Sequence, residues 1–463
     1  MSLLLLSSSL FASSLVLAAG LRQIASSKKQ SIAEKAFLTD LDRSDGKEVE
    51  LLPVERDTYT MIGPISTVTF YEGDVDNKII IHRMEEIIRV NPWLAGRLIR
   101  REGQNVKLRY PLIPSTVDLK KHVQEINILN YQRSEKEKLD ASSPVDQVLS
   151  ELEDRFVKPG INCINKDEVL FNILVVKIFN SANQPATRTA FVMTLSHVIA
   201  DGRNFYSIYS FFHPSTPIKA IDPVRDLSFP DRIKEIQGSE YAGYPSSLLL
   251  LLRCLKTLLF EYFPAVQRYK IDPHALHHRK HELLHRHQHD DDNNNSKEAP
   301  AFLSSNDFLS WWFMQSVQCS HGLMAVNCRG RLPGLTEAMA GNYTTLIIYS
   351  HQDYSTGGPA EIRRSLRSLR SSSAAIPSAR ETVAFRISTL TNWASFYAPV
   401  VFDERCPLLF HSPLVGNRQI VIRDHLIVFR YDDQHLGLLL FSRTKNSLAD
   451  WLEQPGNEFL QAF

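Results

Sequence analysis

A chain of 463 residues, 43% apolar and 22% charged, is long enough to bury large cores and too ordinary in composition to be disordered throughout. A formal net charge of +1 supplies no global field toward nucleic acid or an anionic bilayer, so no nucleic-acid partner is expected. Cys163, Cys254, Cys319, Cys328 and Cys406 include no Cys-x-x-Cys spacing, which argues against a disulfide framework and against a structural zinc site.

Residues 3–21 are apolar and serine-rich, with Arg22, Lys28 and Lys29 after them and no acid before Glu34. That pattern fits a signal peptide, a short anchor or a transit peptide. Endomembrane association is the favoured expectation, with cytoplasmic or organellar placement as alternatives. From residue 51 the chain alternates strand and helix patterns. Strands are expected at 61–71, 106–110, 169–179 and 189–195, and helices at 77–89 and 140–156. Residues 248–263 are leucine-rich and interrupted by Arg253 and Lys256, which suits either a buried crossover helix or a helix lying on a membrane surface. Seven histidines crowd 274–300, where apolar periodicity is nearly absent, so a disordered tether is expected. His277, His281 and His285 are spaced to chelate a metal if that tract were helical, but no metal site is expected. Strand patterns return at 344–349, 420–429 and 436–441. The organisation read from these segments is a leader and linker (1–50), an N-terminal lobe (51–235), a crossover helix and His-rich tether (236–300) and a C-terminal lobe (301–463).

The residues with chemical promise follow the strand Phe191-Val192-Met193-Thr194-Leu195. His197 opens His197-Val198-Ile199-Ala200-Asp201-Gly202, and 205–212 has a helical pattern. A histidine at a strand end projects from a fixed backbone, and its neutral imidazole can take the proton of a hydroxyl that attacks a thioester. Asp201 is placed to hold the loop through an arginine and not to touch substrate.

Four further segments accompany this motif in order. They are Asn91-Pro92-Trp93-Leu94-Ala95-Gly96-Arg97-Leu98, Ser305-Asn306-Asp307-Phe308-Leu309, Val326-Asn327-Cys328-Arg329-Gly330-Arg331-Leu332 followed by Gly341-Asn342, and Thr391-Asn392-Trp393. Together the five resemble the BAHD and chloramphenicol-acetyltransferase-like superfamily, which includes condensation domains, over about Thr58 to Phe441. The resemblance implies a two-lobed α/β fold with mixed sheets flanked by helices and a tunnel between the lobes. It implies acyl transfer from acyl-coenzyme A, a co-substrate and not a resident cofactor, to a small-molecule hydroxyl or amine acceptor, and the apolar leader with residues 248–263 points to a lipophilic one. His197 would be the base, Asp201 structural with Arg329 as its ion-pair partner, and Gly202 the turn. Thr391 and Trp393 would lie near the oxyanion and acceptor, with Asn342 near substrate. A monomer with contact to a membrane surface is expected. The alternatives are a carrier-dependent condensation-type transferase and a catalytically silent scaffold. The plant subgroup's Asp-Phe-Gly-Trp-Gly motif has no counterpart in 396–415, where Phe410-His411-Ser412-Pro413 stands instead.

Overall fold

The computed structural model describes residues 31–112, 118–129, 145, 152–180, 184–260, 265–291, 302–384, 386–415, 422, 424–442 and 456–462. The apolar leader and most of the helix expected at 140–156 lie outside them. The strands in chain order are Gly46–Glu50 (β1), Pro64–Glu72 (β2), Arg97–Ile99 (β3), Lys107–Pro111 (β4), Val123–Leu129 (β5), Phe171–Phe179 (β6), Arg188–Ser196 (β7) and Ala265–Ile271 (β8). They continue with His321–Asn327 (β9), Thr344–Ser350 (β10), Ile387–Asn392 (β11), Leu408–Pro413 (β12), Asp424–Arg430 (β13), Leu436–Ser442 (β14) and Leu460–Ala462 (β15).

Three sheets result. One is a small antiparallel sheet ordered β1-β4-β3, one a five-stranded sheet β12-β2-β7-β6-β5, and one a seven-stranded sheet β10-β9-β11-β13-β14-β8-β15. Both large sheets are mixed: β5 lies parallel to β6, and β11 lies parallel to β9 and β13. In β6 and β7 the side chains alternate between two cores. Phe171, Ile173, Phe191, Met193 and Leu195 enter one, while Leu174, Val176, Ala190 and Val192 enter the other. A strand covered on both faces reads as a continuous apolar run, which is how these two stand in the sequence. The first core is roofed by Asn77–Val90 (α1), which Asp76 caps through the Lys78 amide at 2.9 Å and which buries Ile80, Met84, Ile87 and Ile88.

Two segments depart from the expected lobe boundaries. Residues 236–300 contain β8, which pairs with β14 and β15 inside the seven-stranded sheet. Residues 301–463 send β12 back to the other sheet, where Ser412 stands opposite Val68 of β2. The lobes therefore exchange chain and do not meet at one linker.

The strand expected at 61–71 starts later, because 58–62 form a short helix ahead of Pro64. Gly202–Ser210 (α2) is the helix expected after the histidine motif. Leu248–Phe260 (α3) is also helical. It buries Leu250 with Tyr241 and Tyr244 yet leaves Leu248 66% and Leu252 46% exposed. No helix among the described residues is long and apolar enough to cross a membrane.

The His-rich tract is not irregular through Asp291. Pro273–Asp291 (α4) is a helix, started by the Asp272 carboxylate, which accepts from the His274 and Ala275 amides at 2.8 and 3.1 Å. Leu276 is buried and Leu283 packs on the same core, while Arg279 and Glu282 pair at 2.8 Å. A cap and a few residues at helical spacing thus suffice where the apolar count is low. Among the described residues, no three His, Cys, Asp or Glu side chains gather to hold a metal, and the His285 side chain lies outside them. Ser305–Val317 (α5) and His351–Ser368 (α6), the latter kinked at Gly358, complete the elements that reach the site.

Candidate active site

His197 leaves the end of β7, a central strand whose last residues pair with Pro64 of β2 and Phe171 of β6. Val198, Ile199 and Ala200 are fully buried, and Val198 fits only because Gly160 lacks a side chain: a Cβ there would stand 2.4 Å from it. Two residues grip the loop backbone. The Asn342 amide donates to the His197 carbonyl at 2.8 Å, and Arg225 donates to the Ile199 carbonyl at 3.0 Å. Both are tied to Glu55, which pairs with Arg225 at 3.1 Å and accepts from the Asn342 backbone N–H at 2.9 Å. His197 is partly exposed. Burial holds its imidazole below the usual histidine range, against smaller opposing contributions from its own carbonyl, Asp201, the Asn342 side chain and Glu55. The ring is therefore neutral at neutral pH, the state a base requires.

Asp201 turns away from the loop. One carboxylate oxygen caps α2 by accepting from the Asn204 amide at 3.0 Å. The other accepts from Arg329 at 2.6 Å and from the Tyr343 amide at 3.2 Å. The Arg329 fork also reaches Asn204 at 2.8 Å and the Gly341 carbonyl at 2.7 Å, with its side chain wholly buried. Gly341 occupies φ +124°, and a Cβ on it would meet Arg225 and Glu55 at 2.9 Å each. Gly341→Ala is accordingly expected to destabilise the fold by about 1–3 kcal/mol, read as a lower melting temperature. An unchanged melt would contradict this account of the network. Asn342 belongs to a glycosylation triplet, but at 2% exposure it serves the network instead.

Gly202 makes a further contact across the lobe boundary. A Cβ there would lie 3.2 Å from the Trp393 indole nitrogen, so the missing side chain admits the ring. Asn392 donates to Asn306 at 2.8 Å, which joins the end of β11 to the start of α5. These contacts border a cavity of about 880 Å³ at the lobe boundary, lined among others by Asp201, Gly202, Arg329, Thr391 and Trp393. His197 and Asn342 do not line it. The Asn91–Leu98 segment does not either. There a Cβ on Gly96 would stand 2.6 Å from Leu108, so only glycine fits, and Asn91 ties down the Lys219 and Ile221 backbone, so the segment's role is structural.

The cavity is strongly basic. Lys280 of α4, Arg331, Arg363 and Arg367 of α6, Arg203, Arg329 and Arg430 all line it, against two acids, Asp201 and Asp307. Both acids are taken, by Arg329 and Arg363 at 2.6 Å each, and Arg203 pairs with Glu337. Among the described residues, Lys280, Arg331, Arg367 and Arg430 have no carboxylate at ion-pair distance. Burial lowers the Lys280 pKa, with Arg363 pushing the same way and Asp307 opposing.

Of the residues singled out in the sequence, Asp201, Gly202, Arg329, Thr391 and Trp393 come together around the cavity, and His197 and Asn342 stand off its lining. Sequence reasoning missed Glu55, Arg225 and Asn204, which stand in no spaced motif. It missed the basic lining too, because those cations are scattered over α2, α4, α6, β13 and the segment after β9.

No family model matches the chain, and no curated protein matches it. Solved structures do. F. sporotrichioides TRI101 complexed with coenzyme A and T-2 aligns over 90% of this chain and 99% of its own, with TM-score 0.54 and 11% identity. F. graminearum TRI101 complexed with coenzyme A and deoxynivalenol gives TM-score 0.53 and 11% identity over 90% and 99%. The first condensation domain of the CDA synthetase gives TM-score 0.53 and 10% identity over 90% and 98%. The chain has the two-lobed chloramphenicol-acetyltransferase-like fold. Within that fold, α2 and β11 are the elements that bring the histidine loop and Trp393 to one boundary.

Proposed function

We propose that this chain transfers an acyl group from acyl-coenzyme A to a small, lipophilic hydroxyl or amine acceptor, with His197 as general base. The observation that carries the reading is the cavity at the lobe boundary. Its wall joins Asp201 and Gly202 to Thr391 and Trp393, and its lining carries four cations with no carboxylate partner among the described residues. Such a surplus in a partly enclosed site favours a polyanionic donor. Coenzyme A, with its diphosphate and ribose phosphate, is one, and two of the similar structures were solved with it bound.

In the proposed reaction the basic cavity, which His197 does not line, holds the donor's phosphates. The neutral imidazole of His197, on the loop that gives Asp201 and Gly202 to the cavity wall, takes the acceptor proton as the oxygen attacks the thioester carbonyl. The carbonyl electrons move onto oxygen, where a hydroxyl or indole N–H from Thr391 or Trp393 can stabilise them. The intermediate then collapses by breaking the C–S bond, and the imidazolium returns its proton to the thiolate. Ester and free coenzyme A result, with no covalent enzyme intermediate. Asp201 takes no proton; with Arg329 it fixes the loop.

A carrier-tethered donor is the second reading, since condensation domains share the fold. A pantetheine arm lacks the nucleotide phosphates, so titration calorimetry with coenzyme A and with pantetheine separates the two. Coenzyme A should bind at least about tenfold tighter than pantetheine. Lys280→Gln combined with Arg367→Gln should remove most of that margin, because each charged hydrogen bond to a phosphate is worth about 1.5–3 kcal/mol. Equal affinity for both compounds would favour the carrier reading, and no binding of either would favour a silent scaffold.

A further inference from the structure

Between Trp393 and Pro413 the chain crosses from the seven-stranded sheet to the five-stranded one, so Phe410-His411-Ser412-Pro413 lies in β12. His411 is wholly buried and reaches hydroxyls on two elements. Its Nδ1 is 2.9 Å from Thr69 Oγ1 on β2, and its Nε2 is 3.1 Å from Tyr206 Oη on α2. Thr69 Oγ1 is in turn 2.7 Å from Tyr209 Oη. Burial pushes the imidazole down to about 3, so one ring nitrogen donates and the other accepts. A phenyl ring would fill the space equally well but would give up both side-chain bonds, leaving β12 paired with β2 through the backbone and without the bond to Tyr206 of α2.

Gly202, Tyr206 and Tyr209 fall at i, i+4 and i+7 on one face of α2. Trp393 touches the first of these, and its ring lies 6.2 Å from that of Tyr206. His411 lies 5.7 Å from Tyr206 and 5.2 Å from Tyr209. The crossing segment thus bears on α2 at both of its ends.

We propose that His411 is a positioning residue: its bond to Tyr206 sets the Trp393 indole against Gly202, and with it the cavity wall next to the His197 loop. The catalytic consequence rests on the acyl-transfer reading; the positioning itself does not. Two substitutions divide the ring's bonds. His411→Gln places an amide where Nε2 was and keeps Tyr206, whereas His411→Asn replaces Nδ1 and keeps Thr69.

The first readout is acrylamide quenching of the Trp393 emission, isolated by subtracting matched proteins that carry Trp393→Phe. His411→Asn should raise the quenching constant about twofold, while His411→Gln stays near wild type. The second is turnover. His411→Asn should lower kcat about tenfold with little change in KM, and the loss should vanish in the Trp393→Phe background. Melting temperature should fall in both variants, because each loses one buried bond. Unchanged quenching in His411→Asn, or equal effects of the two variants, overturns the proposal. So does a kcat loss that persists undiminished with Trp393→Phe. A wild-type protein without turnover on any thioester would sink the acyl-transfer reading, and the quenching result would still decide the role of His411.

Discussion

His197→Ala is expected to reduce turnover by at least about 10² to 10⁴-fold, the usual contribution of a general base, with a small effect on thioester binding. The imidazole sits at the end of a central strand, and the carbonyls of its loop are held by Asn342 and Arg225. Removing the ring leaves that framework intact. Free coenzyme A measured over time gives the rate, and calorimetry gives the affinity. The wild-type pH profile follows from the same surroundings. Burial lowers the His197 pKa, so the reactive neutral form persists below the ordinary histidine value of 6.5. Activity is then full above that value and is lost as pH falls through the lower folded-state pKa. An acid limb centred above 6.5 would contradict a desolvated base.

Asp201→Asn is expected to be the most destabilising isosteric change at the site. Asparagine still caps α2, because its carbonyl oxygen can accept from the Asn204 amide. The Arg329 guanidinium, however, remains buried with its charge uncompensated, and breaking one side of a buried pair costs about 3–5 kcal/mol. Differential scanning calorimetry should show a melting temperature lower by several degrees. Turnover should fall as well, since Tyr343 and Gly341 are fastened to the same carboxylate–guanidinium pair. Asp201→Asn combined with Arg329→Met should recover part of the lost stability, because no charge then stays buried alone. Lost turnover with an unchanged melt would make Asp201 a reacting group and contradict its role as a brace.

Much of this arrangement could be read from residue patterns. The apolar runs of β6 and β7 and the stripe of α1 showed in the pattern itself, while the two-lobed fold and the pairing of Asp201 with Arg329, 2.6 Å in the structure, followed from the family resemblance of the five motifs. What escaped the sequence has a common cause, which is that it depends on long-range placement. β8 lies just ahead of the histidine tract, and β12 carries no apolar alternation strong enough to reveal that it returns to the first sheet. Pro273–Asp291 is helical on the strength of a cap and of Leu276 and Leu283, which few periodic positions announce. Glu55 and Arg225 are 170 positions apart in the chain and meet only because the fold brings them under the histidine loop. The basic cavity, likewise, sums side chains from elements whose neighbourhood no spacing encodes.

The central claim is tested most directly by following thiol release from acetyl-coenzyme A with a panel of lipophilic alcohols, and again with the alcohol omitted. The account predicts free coenzyme A in step with ester, dependent on acceptor, in wild type and not in His197→Ala. Thiol release that is indifferent to acceptor, or equal in the two proteins, would contradict it.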